Sequence, residues 1–230
     1  EKSHSNHSKR SKKSSHQKNN LSLFLSPNFI NSLNSPYKMR IAFIIANDGY
    51  QDNEYLLPKE FLTNKGHIVT TVAKELGTAK GSLGGTTEVN LTLDELNIEE
   101  FKAIVFVGGP GAPVYQEDSK AHEIIKQTLE QNKLLAAICI APMTLAKAGA
   151  LRGKNTTVWN GDTQQAVAIE SFGATYLKGP VVIDNNIITA NGPEAAKEFA
   201  KAISKYLEEQ ESLNQVQESQ IQDIQEENND

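Results

Sequence analysis

The sequence predicts an α/β protein in which a mostly parallel sheet is covered by helices on both faces. From residue 40 onwards, short continuous apolar runs alternate with segments of helical period. This alternation is typical of strands that are buried on both faces in a three-layer sandwich. In addition, the segment Ala137-Ile138-Cys139-Ile140-Ala141 joins an apolar run to a helical one. Small residues two positions before and after the cysteine are the pattern of a nucleophile elbow.

The first half of the domain contains the longer elements. Short apolar runs predict four strands, at residues 40–46, 67–73, 103–107 and 134–138. Helical period predicts three helices, at residues 53–65, at 119–131 and from the cysteine turn to about residue 149. Gly84-Gly85 indicates a hairpin-like excursion over residues 81–89, and residues 91–101 contain a short helix.

The second half contains shorter elements. They are a short segment at 156–159, a helix near 162–171, strands at 181–183 and 186–190, and a last helix from 193 to about 209. Further on, Leu213, Val216, Ile221 and Ile224 fall within one arc of a helix. A frayed amphipathic helix is therefore one interpretation of this stretch, and a solvated acidic tail is the one we favour.

Charge divides the chain into three parts. Residues 1–38 carry seven Lys/Arg and one acid, whereas residues 209–230 carry seven acids and no Lys/Arg. The middle, residues 39–208, is long enough for one packed core. We therefore predict a disordered basic extension (1–38), one domain (39–208) and an acidic Gln/Glu-rich tail (209–230).

Composition also limits the classes of function. Cys139 is the single cysteine, which excludes an intramolecular disulfide and a multi-cysteine metal site. No apolar run approaches the roughly 18 residues that span a bilayer. We expect a cytoplasmic protein that has no metal, cofactor, membrane partner or nucleic-acid partner. Residues 1–38 leave three interpretations open: a dispensable extension, a transit peptide with an organellar location, or a basic patch at residues 9–13 for nucleic acid or nuclear import.

In parallel sheets the reactive groups lie beyond the carboxyl ends of the strands. This rule directs attention to residues 47–54, 108–113 and 139–142. Cys139 would lie at a helix N-terminus, where backbone N–H groups and the helix dipole lower the pKa of a thiol. The alternative is an inert cysteine that fills space behind the sheet.

Two further groups are candidates to act with Cys139. The N–H groups of Gly109 and Ile140 could converge on a developing oxyanion. The turn at residues 108–111 could instead be a phosphate cradle or a plain turn, although nucleotide-binding patterns are absent. Glu54 could donate a hydrogen bond to sulfur when protonated, or accept a proton when ionised. The alternative is a glutamate that only complements the dipole of its helix.

These segments together resemble the DJ-1/PfpI superfamily, which has a class I glutamine-amidotransferase-like fold. The resemblance covers residues 39–208. It rests on residues 41–46 followed by Tyr50-Gln51-Asp52-Asn53-Glu54, on Val107-Gly108-Gly109, on residues 136–142, on residues 148–154 and on residues 187–193. It implies a flavodoxin-like three-layer sandwich, and a homo-oligomer that is a dimer or a larger ring. It also implies that Cys139 is the reactive cysteine, that Glu54 is its hydrogen-bonded acid, and that Gly109 and Ile140 are backbone donors.

The chain departs from the family pattern where histidines are expected. Protease-like members have His directly after the cysteine, where this chain has Ile140. They also use a Glu after the Gly-Gly turn, supplied across a subunit interface, where this chain has Pro113 or Val114. DJ-1-like members place a His after the next strand, at Trp159-Asn160 here. A cysteine without a histidine lacks the usual base for acyl transfer, so efficient proteolysis is not expected.

Three functions fit these observations. In the one we favour, Cys139 attacks a small reactive carbonyl or amide, as in a glyoxalase, deglycase or amidase, and the candidate pocket residues are Gly108, Trp159 and Asn160. In the second, a redox-responsive stress or chaperone-type protein is oxidised at Cys139 to a sulfinate. The third is an inactive binding module whose charged ends recruit partners. His67 and His122 are predicted to be structural or solvated.

Overall fold

The computed structural model describes residues 38–227 of the chain. Seven strands form the central sheet: β1 (Arg40–Ile44), β3 (Ile68–Ala73), β6 (Leu91–Thr92), β7 (Ala103–Phe106), β8 (Leu134–Ile138), β11 (Val181–Asp184) and β12 (Ile187–Ala190). Their order in the sheet is β11-β12-β8-β7-β1-β3-β6. All neighbours are parallel except β11 and β12 at one edge. The predicted mostly parallel sheet is therefore confirmed.

Helices cover both faces of this sheet. They are α1 (Asp52–Asn64), α2 (Ser119–Glu130), α3 (Pro142–Lys147), α4 (Gln165–Ser171) and α5 (Ala196–Glu227). Ala42 and Ile44 of β1 belong to an apolar cluster with α2, α3 and α4, whereas Ile41 and Phe43 belong to a cluster with α1 and α5. Because successive side chains of a strand point to opposite faces, the two clusters are the two cores of the predicted three-layer sandwich.

Two smaller sheets accompany the central one. The excursion predicted at residues 81–89 is an antiparallel hairpin of β4 (Gly77–Gly81) and β5 (Thr86–Val89), which begins four residues earlier than expected. The hairpin pairs with β2 (Asp48–Tyr50), which lies between β1 and α1. The other small sheet joins β9 (Asn155–Thr156) to β10 (Thr175–Tyr176). Since β2 follows the carboxyl end of β1, the hairpin lies near that edge of the central sheet.

The predicted end of the helix after the cysteine is close to the observed one, and the predicted end of the last helix is wrong. The helix after the cysteine, expected to reach about residue 149, ends at Lys147, because Gly149 has φ = +82° and terminates it. The last helix, expected to end near Glu209, continues to Glu227. No Gly or Pro follows Pro193, and Glu, Gln and Leu are good helix formers. The side chains of residues 212–217 are exposed, so this part of α5 is a solvated helix.

His67 lies between α1 and β3, at the amino-terminal edge of the sheet. It is only 4% exposed, and within the described part of the chain neither ring nitrogen has a hydrogen-bond partner. Lys65 and Glu208 form an ion pair of 3.5 Å between the end of α1 and α5, and both charges act on the imidazole. Burial is the largest influence and lowers the pKa of His67, Glu208 opposes it, and Lys65 adds to it.

We expect His67 to make the fold less stable in mild acid. Its pKa is lower in the folded than in the unfolded chain, so the unfolded chain binds a proton first as the pH falls below about 6.5. Urea unfolding between pH 8 and pH 5.5 should show wild type losing stability relative to a His67→Leu variant, by up to about 1.4 kcal/mol per pH unit. A His67→Leu variant should lose less over this range than the wild type. His122→Gln is the control, and an equal loss in all three proteins would contradict the prediction.

Candidate active site

Cys139 directly follows β8 and has φ = +65°. This left-handed conformation costs a residue with a side chain about 1–3 kcal/mol, and it persists only where the surroundings impose it. The Cys139 N–H donates to the Ala190 carbonyl at 2.8 Å, and the Cys139 carbonyl accepts from the Trp159 N–H at 2.8 Å. Ala137 and Ala141, two positions before and after, are buried. The backbone therefore has the shape expected of a nucleophile elbow.

Glu54 reaches the same place from the first turn of α1. Its N–H donates to the side chain of Gln51 at 2.9 Å, and the Gln51 N–H donates to the Gly108 carbonyl at 3.0 Å. The Glu54 carboxyl is fully buried, and neither oxygen makes a hydrogen bond of normal geometry to a described residue. Burial raises the pKa of Glu54 to about 7, although the nearby Cys139 thiol and Gly108 N–H act to lower it.

Gly108 is the contact point between the two side chains. A Cβ added there would stand 2.5 Å from the Cys139 Cβ, 2.5 Å from Glu54 Oε2 and 2.8 Å from the Ile138 carbonyl oxygen. The next residue, Gly109, has φ = +109° and packs against the backbone that leads into α1. Only glycine allows this close approach of the Gly108-Gly109 turn to both groups.

The prediction that the helix lowers the pKa of Cys139 is wrong. Burial, the charge of Glu54 and a hydrogen bond with Glu54 raise the pKa of the thiol to about 12, in that order of size. The N–H groups of Gly109 and Ile140 lower it, as expected of donors aimed at sulfur, but they do not outweigh the other causes. The physical reason is that α3 begins only at Pro142 and has six residues, so the helix contributes little against burial.

Cys139 and Glu54 therefore titrate as a coupled pair. While Glu54 is ionised, its charge keeps the proton on sulfur. When Glu54 carries the proton, that repulsion is absent and its O–H can donate to a thiolate. The pair thus holds one proton that either group can carry, which is the property required for proton transfer during attack by sulfur.

Comparison with known proteins places the chain in a family. The model of the DJ-1/PfpI family matches residues 39–206. The chain belongs to this family. A deglycase of Pyrococcus horikoshii is 32% identical over 155 residues, which cover 67% of this chain and 91% of the deglycase. The solved ThiJ/PfpI domain protein of Brachyspira murdochii has a TM-score of 0.71 at 31% identity, and the match covers 74% of this chain and 98% of that one. An uncharacterised protein of Methanocaldococcus jannaschii is 33% identical over 171 residues, 74% of this chain and 82% of that protein.

The two histidines in the described part of this DJ-1/PfpI member, His67 and His122, are not part of the cysteine turn. His67 precedes β3, whereas Cys139 follows β8, so the two lie at opposite edges of a parallel sheet. His122 lies on α2, and its Nε2 contacts the Gln116 carbonyl at 2.9 Å. Among residues 38–227, Glu54 is the titratable side chain that acts on Cys139.

The two candidate pocket residues after β9 differ in their placement. Trp159 bonds through its backbone to Cys139, and its side chain is 39% exposed beside the cysteine turn. Its ring packs against Gly161 and lies 3.7 Å from where a Cβ of Gly192 would be. The side-chain oxygen of Asn160 instead accepts from the Ala166 N–H at 3.0 Å, at the start of α4. Of these two residues, Trp159 is therefore the one whose side chain is available to a ligand.

Sequence reasoning missed the residues that hold the start of α1. Gln51 caps the helix and links it to Gly108, and Asp52 binds the hairpin turn between β4 and β5. A polar residue ahead of an acidic first turn is a general helix-start signal, so it did not single out these contacts. Within residues 38–227, no three His, Cys, Asp or Glu side chains are grouped as a metal site would need. No helix in that range has the length and apolar character to cross a membrane.

Proposed function

We propose that the chain uses Cys139 as a nucleophile on small reactive carbonyl compounds, in the manner of a glyoxalase or deglycase, with small amides as the second substrate class. The observation that carries this proposal is the meeting of the strained Cys139 and the buried Glu54 at Gly108. The deglycase name of the Pyrococcus relative supports the same chemistry.

The addition step follows from these groups. As sulfur attacks the carbonyl carbon, the thiol proton moves to the Glu54 carboxylate, a C–S bond forms, and the π electrons of the carbonyl move onto oxygen. The N–H groups of Gly109 and Ile140, which act on the sulfur, would donate to that oxyanion. Protonated Glu54 then returns its proton to the oxygen, which gives a hemithioacetal. A pKa near neutrality suits a group that must accept and release a proton in one cycle.

A 2-oxoaldehyde then needs no external redox partner. Glu54 can remove the proton from the carbon bound to sulfur, the resulting enediol is protonated on the neighbouring carbon, and a thioester results. Water cleaves this thioester and releases a 2-hydroxy acid and the free thiol. The sum is oxoaldehyde plus water to hydroxy acid. An amide is harder, because its nitrogen must be protonated before it leaves, and Ile140 stands where a protease-like member has its histidine.

The experiment is an assay of methylglyoxal consumption and lactate release, with small amides and peptides tested in parallel. Wild type should consume methylglyoxal, and Cys139→Ala and Glu54→Gln should fall to background, because one removes the nucleophile and the other the proton carrier. Lys126→Ala, on the exposed face of α2, is the control and should match wild type. Equal background rates in all four proteins would overturn the proposal. So would absence of turnover combined with gain of two oxygens at Cys139 in mild peroxide, the behaviour of a redox-responsive protein.

We further propose that the chain is a homo-oligomer, as its family resemblance implies. Protease-like members supply a Glu across the interface at a position that corresponds here to Pro113 or Val114, and Val114 is 47% exposed on the turn that follows Gly108-Gly109. A second copy packed there would cover this side chain near the site. Light scattering on the full chain should give a mass of at least twice 25.2 kDa, and a monomer at micromolar concentration would contradict the prediction.

A further inference from the structure

The turn between β4 and β5 closes around the side chain of Asp52. Asp52 is only 6% exposed, and its carboxylate accepts two backbone hydrogen bonds, from the Leu83 N–H at 2.8 Å and from the Gly85 N–H at 2.7 Å. The turn is also closed on itself, because the Gly81 N–H donates to the Gly85 carbonyl at 2.7 Å. Asp52 belongs to α1, so these bonds tie the hairpin to the helix that carries Glu54.

The glycines of this turn are required by the carboxylate. Gly81 and Gly85 lie so close to Asp52 that a Cβ on either residue would collide with its carboxylate. Gly84, with φ = +93°, lies between the two residues whose N–H groups, those of Leu83 and Gly85, both donate to the carboxylate. Such concave runs of N–H groups bind anions. The turn is therefore an anion cradle whose occupant is a side chain of the same molecule.

Asp52, which occupies this cradle, lies two residues before Glu54 in the first turn of α1. The Ser82 N–H also donates to the Tyr50 carbonyl at 2.8 Å, so the hairpin holds the chain just before the helix as well. From the other side, the Gln51 N–H bonds to the Gly108 carbonyl. Because the Glu54 oxygens lack hydrogen bonds of normal geometry, the place of the carboxyl depends on how firmly this backbone is held.

We propose that Asp52, seated in the cradle of residues 81–85, is a positioning residue that holds Glu54 against Cys139; the inference rests on the proposed role of that pair. Asp52 itself touches no reacting atom in this scheme. It acts by fixing the first turn of α1 from the hairpin side, while Gln51 fixes it from the Gly108 side. A misplacement of about 1 Å at a catalytic group can cost on the order of a hundredfold in rate, so this support matters to the reaction.

The test uses the pH dependence of Cys139 alkylation by iodoacetamide in the full chain. Cys139 is the single cysteine, so the reagent reports on it alone. In wild type the rate should rise in a first step near pH 7, the pKa of Glu54, where the pair loses the first of its two protons and the remaining one is shared between the two groups. Two variants disturb the cradle. Asp52→Asn replaces the carboxylate, which accepts from two N–H groups, with an amide. Gly85→Ala keeps the carboxylate but adds a Cβ that collides with it. In both variants Glu54 gains access to water, so the step should move towards the ordinary Glu pKa of about 4.3. Methylglyoxal turnover should fall about tenfold or more.

Thr78→Ala is the matched control. The Thr78 hydroxyl donates to Glu88 at 2.6 Å near the other end of the same hairpin, so its loss loosens the hairpin without touching Asp52. It should leave the alkylation step and the turnover unchanged. Glu54→Gln should abolish the step in otherwise wild-type protein. If it does not, the proposed function is wrong.

If Glu54→Gln abolishes the step but Asp52→Asn and Gly85→Ala behave like Thr78→Ala, only the positioning role is wrong. Circular dichroism and urea unfolding accompany every variant. If both cradle variants are unfolded at 25 °C, the positioning role is likewise overturned, because Asp52 would then serve folding alone.

Discussion

Replacing Gly108 with alanine should reduce methylglyoxal turnover by about a hundredfold. The added Cβ would stand 2.5 Å from both the Cys139 Cβ and Glu54 Oε2, which is closer than real Cβ contacts, so one of these groups must move. The Ile138 carbonyl at 2.8 Å closes the third direction. Since β8 and α1 are both packed in the core, the shift falls on the relative position of sulfur and carboxyl. We also expect a loss of about 1–3 kcal/mol in the free energy of unfolding, as is usual for overpacking.

Gly179→Ala provides the control for the Gly108 variant. A Cβ at Gly179 meets only the Val181 carbonyl oxygen, at an ordinary 3.8 Å, so this variant should keep both activity and stability. Turnover and urea unfolding are measured on the same preparations. Turnover is compared without urea, at a temperature at which both variants are folded. A folded Gly108→Ala protein with turnover within about twofold of wild type would contradict the close contact on which the site depends.

The central strands could be predicted from the sequence because strands buried on both faces are uninterrupted runs of apolar residues. Residues 134–138 are five apolar residues without interruption, and β8 occupies the same five. The elbow was predictable for a related reason, since Ala137 and Ala141 are small where the turn is crowded. The length of α5 was not, because its outer part makes few of the core contacts that produce an apolar pattern, and the helical propensity of Glu and Gln decides its extent.

The pKa of the thiol was harder to predict from the sequence than which residues form the site. Cys139, Glu54, Gly109 and Ile140 do come together, but the direction of the thiol pKa depends on burial and on the charge of Glu54. Neither can be read from local spacing, because burial results from the packing of β8, β12 and the turn at Gly108. Asp52 escaped notice for the same reason: its partners, Leu83 and Gly85, lie about thirty residues further along the chain.

Replacing Glu54 with glutamine should make Cys139 more reactive while it abolishes turnover. The ionised carboxylate raises the pKa of the thiol both by its charge and through its hydrogen bond. Glutamine removes the charge, and its amide N–H can donate to a thiolate, so the pKa of Cys139 falls. Alkylation by iodoacetamide follows the thiolate fraction and should therefore be faster in Glu54→Gln than in wild type above neutral pH.

The pH dependence of this effect identifies its cause. Below pH 7 the wild-type Glu54 is itself protonated, so the two proteins should be alkylated at similar rates. Above pH 7 the wild-type thiol is held back by the carboxylate, and the ratio of the two rates should grow by about tenfold per pH unit. An increase that is the same at every pH would indicate a looser pocket instead of a lost charge.

The same substitution should raise the stability of the fold at alkaline pH. The pKa of Glu54 is raised in the folded chain, so the folded chain holds a proton that the unfolded chain has lost. This contribution to stability is complete below the unfolded Glu pKa of about 4.3 and is lost as the pH rises through about 7. Glutamine cannot ionise, so Glu54→Gln should unfold at a higher urea concentration than wild type at pH 8 and at a similar one at pH 4.5. Lower stability of the variant at pH 8 would show that the buried carboxylate is favourably bound. The same result would remove the reason for placing a shared proton between Glu54 and Cys139.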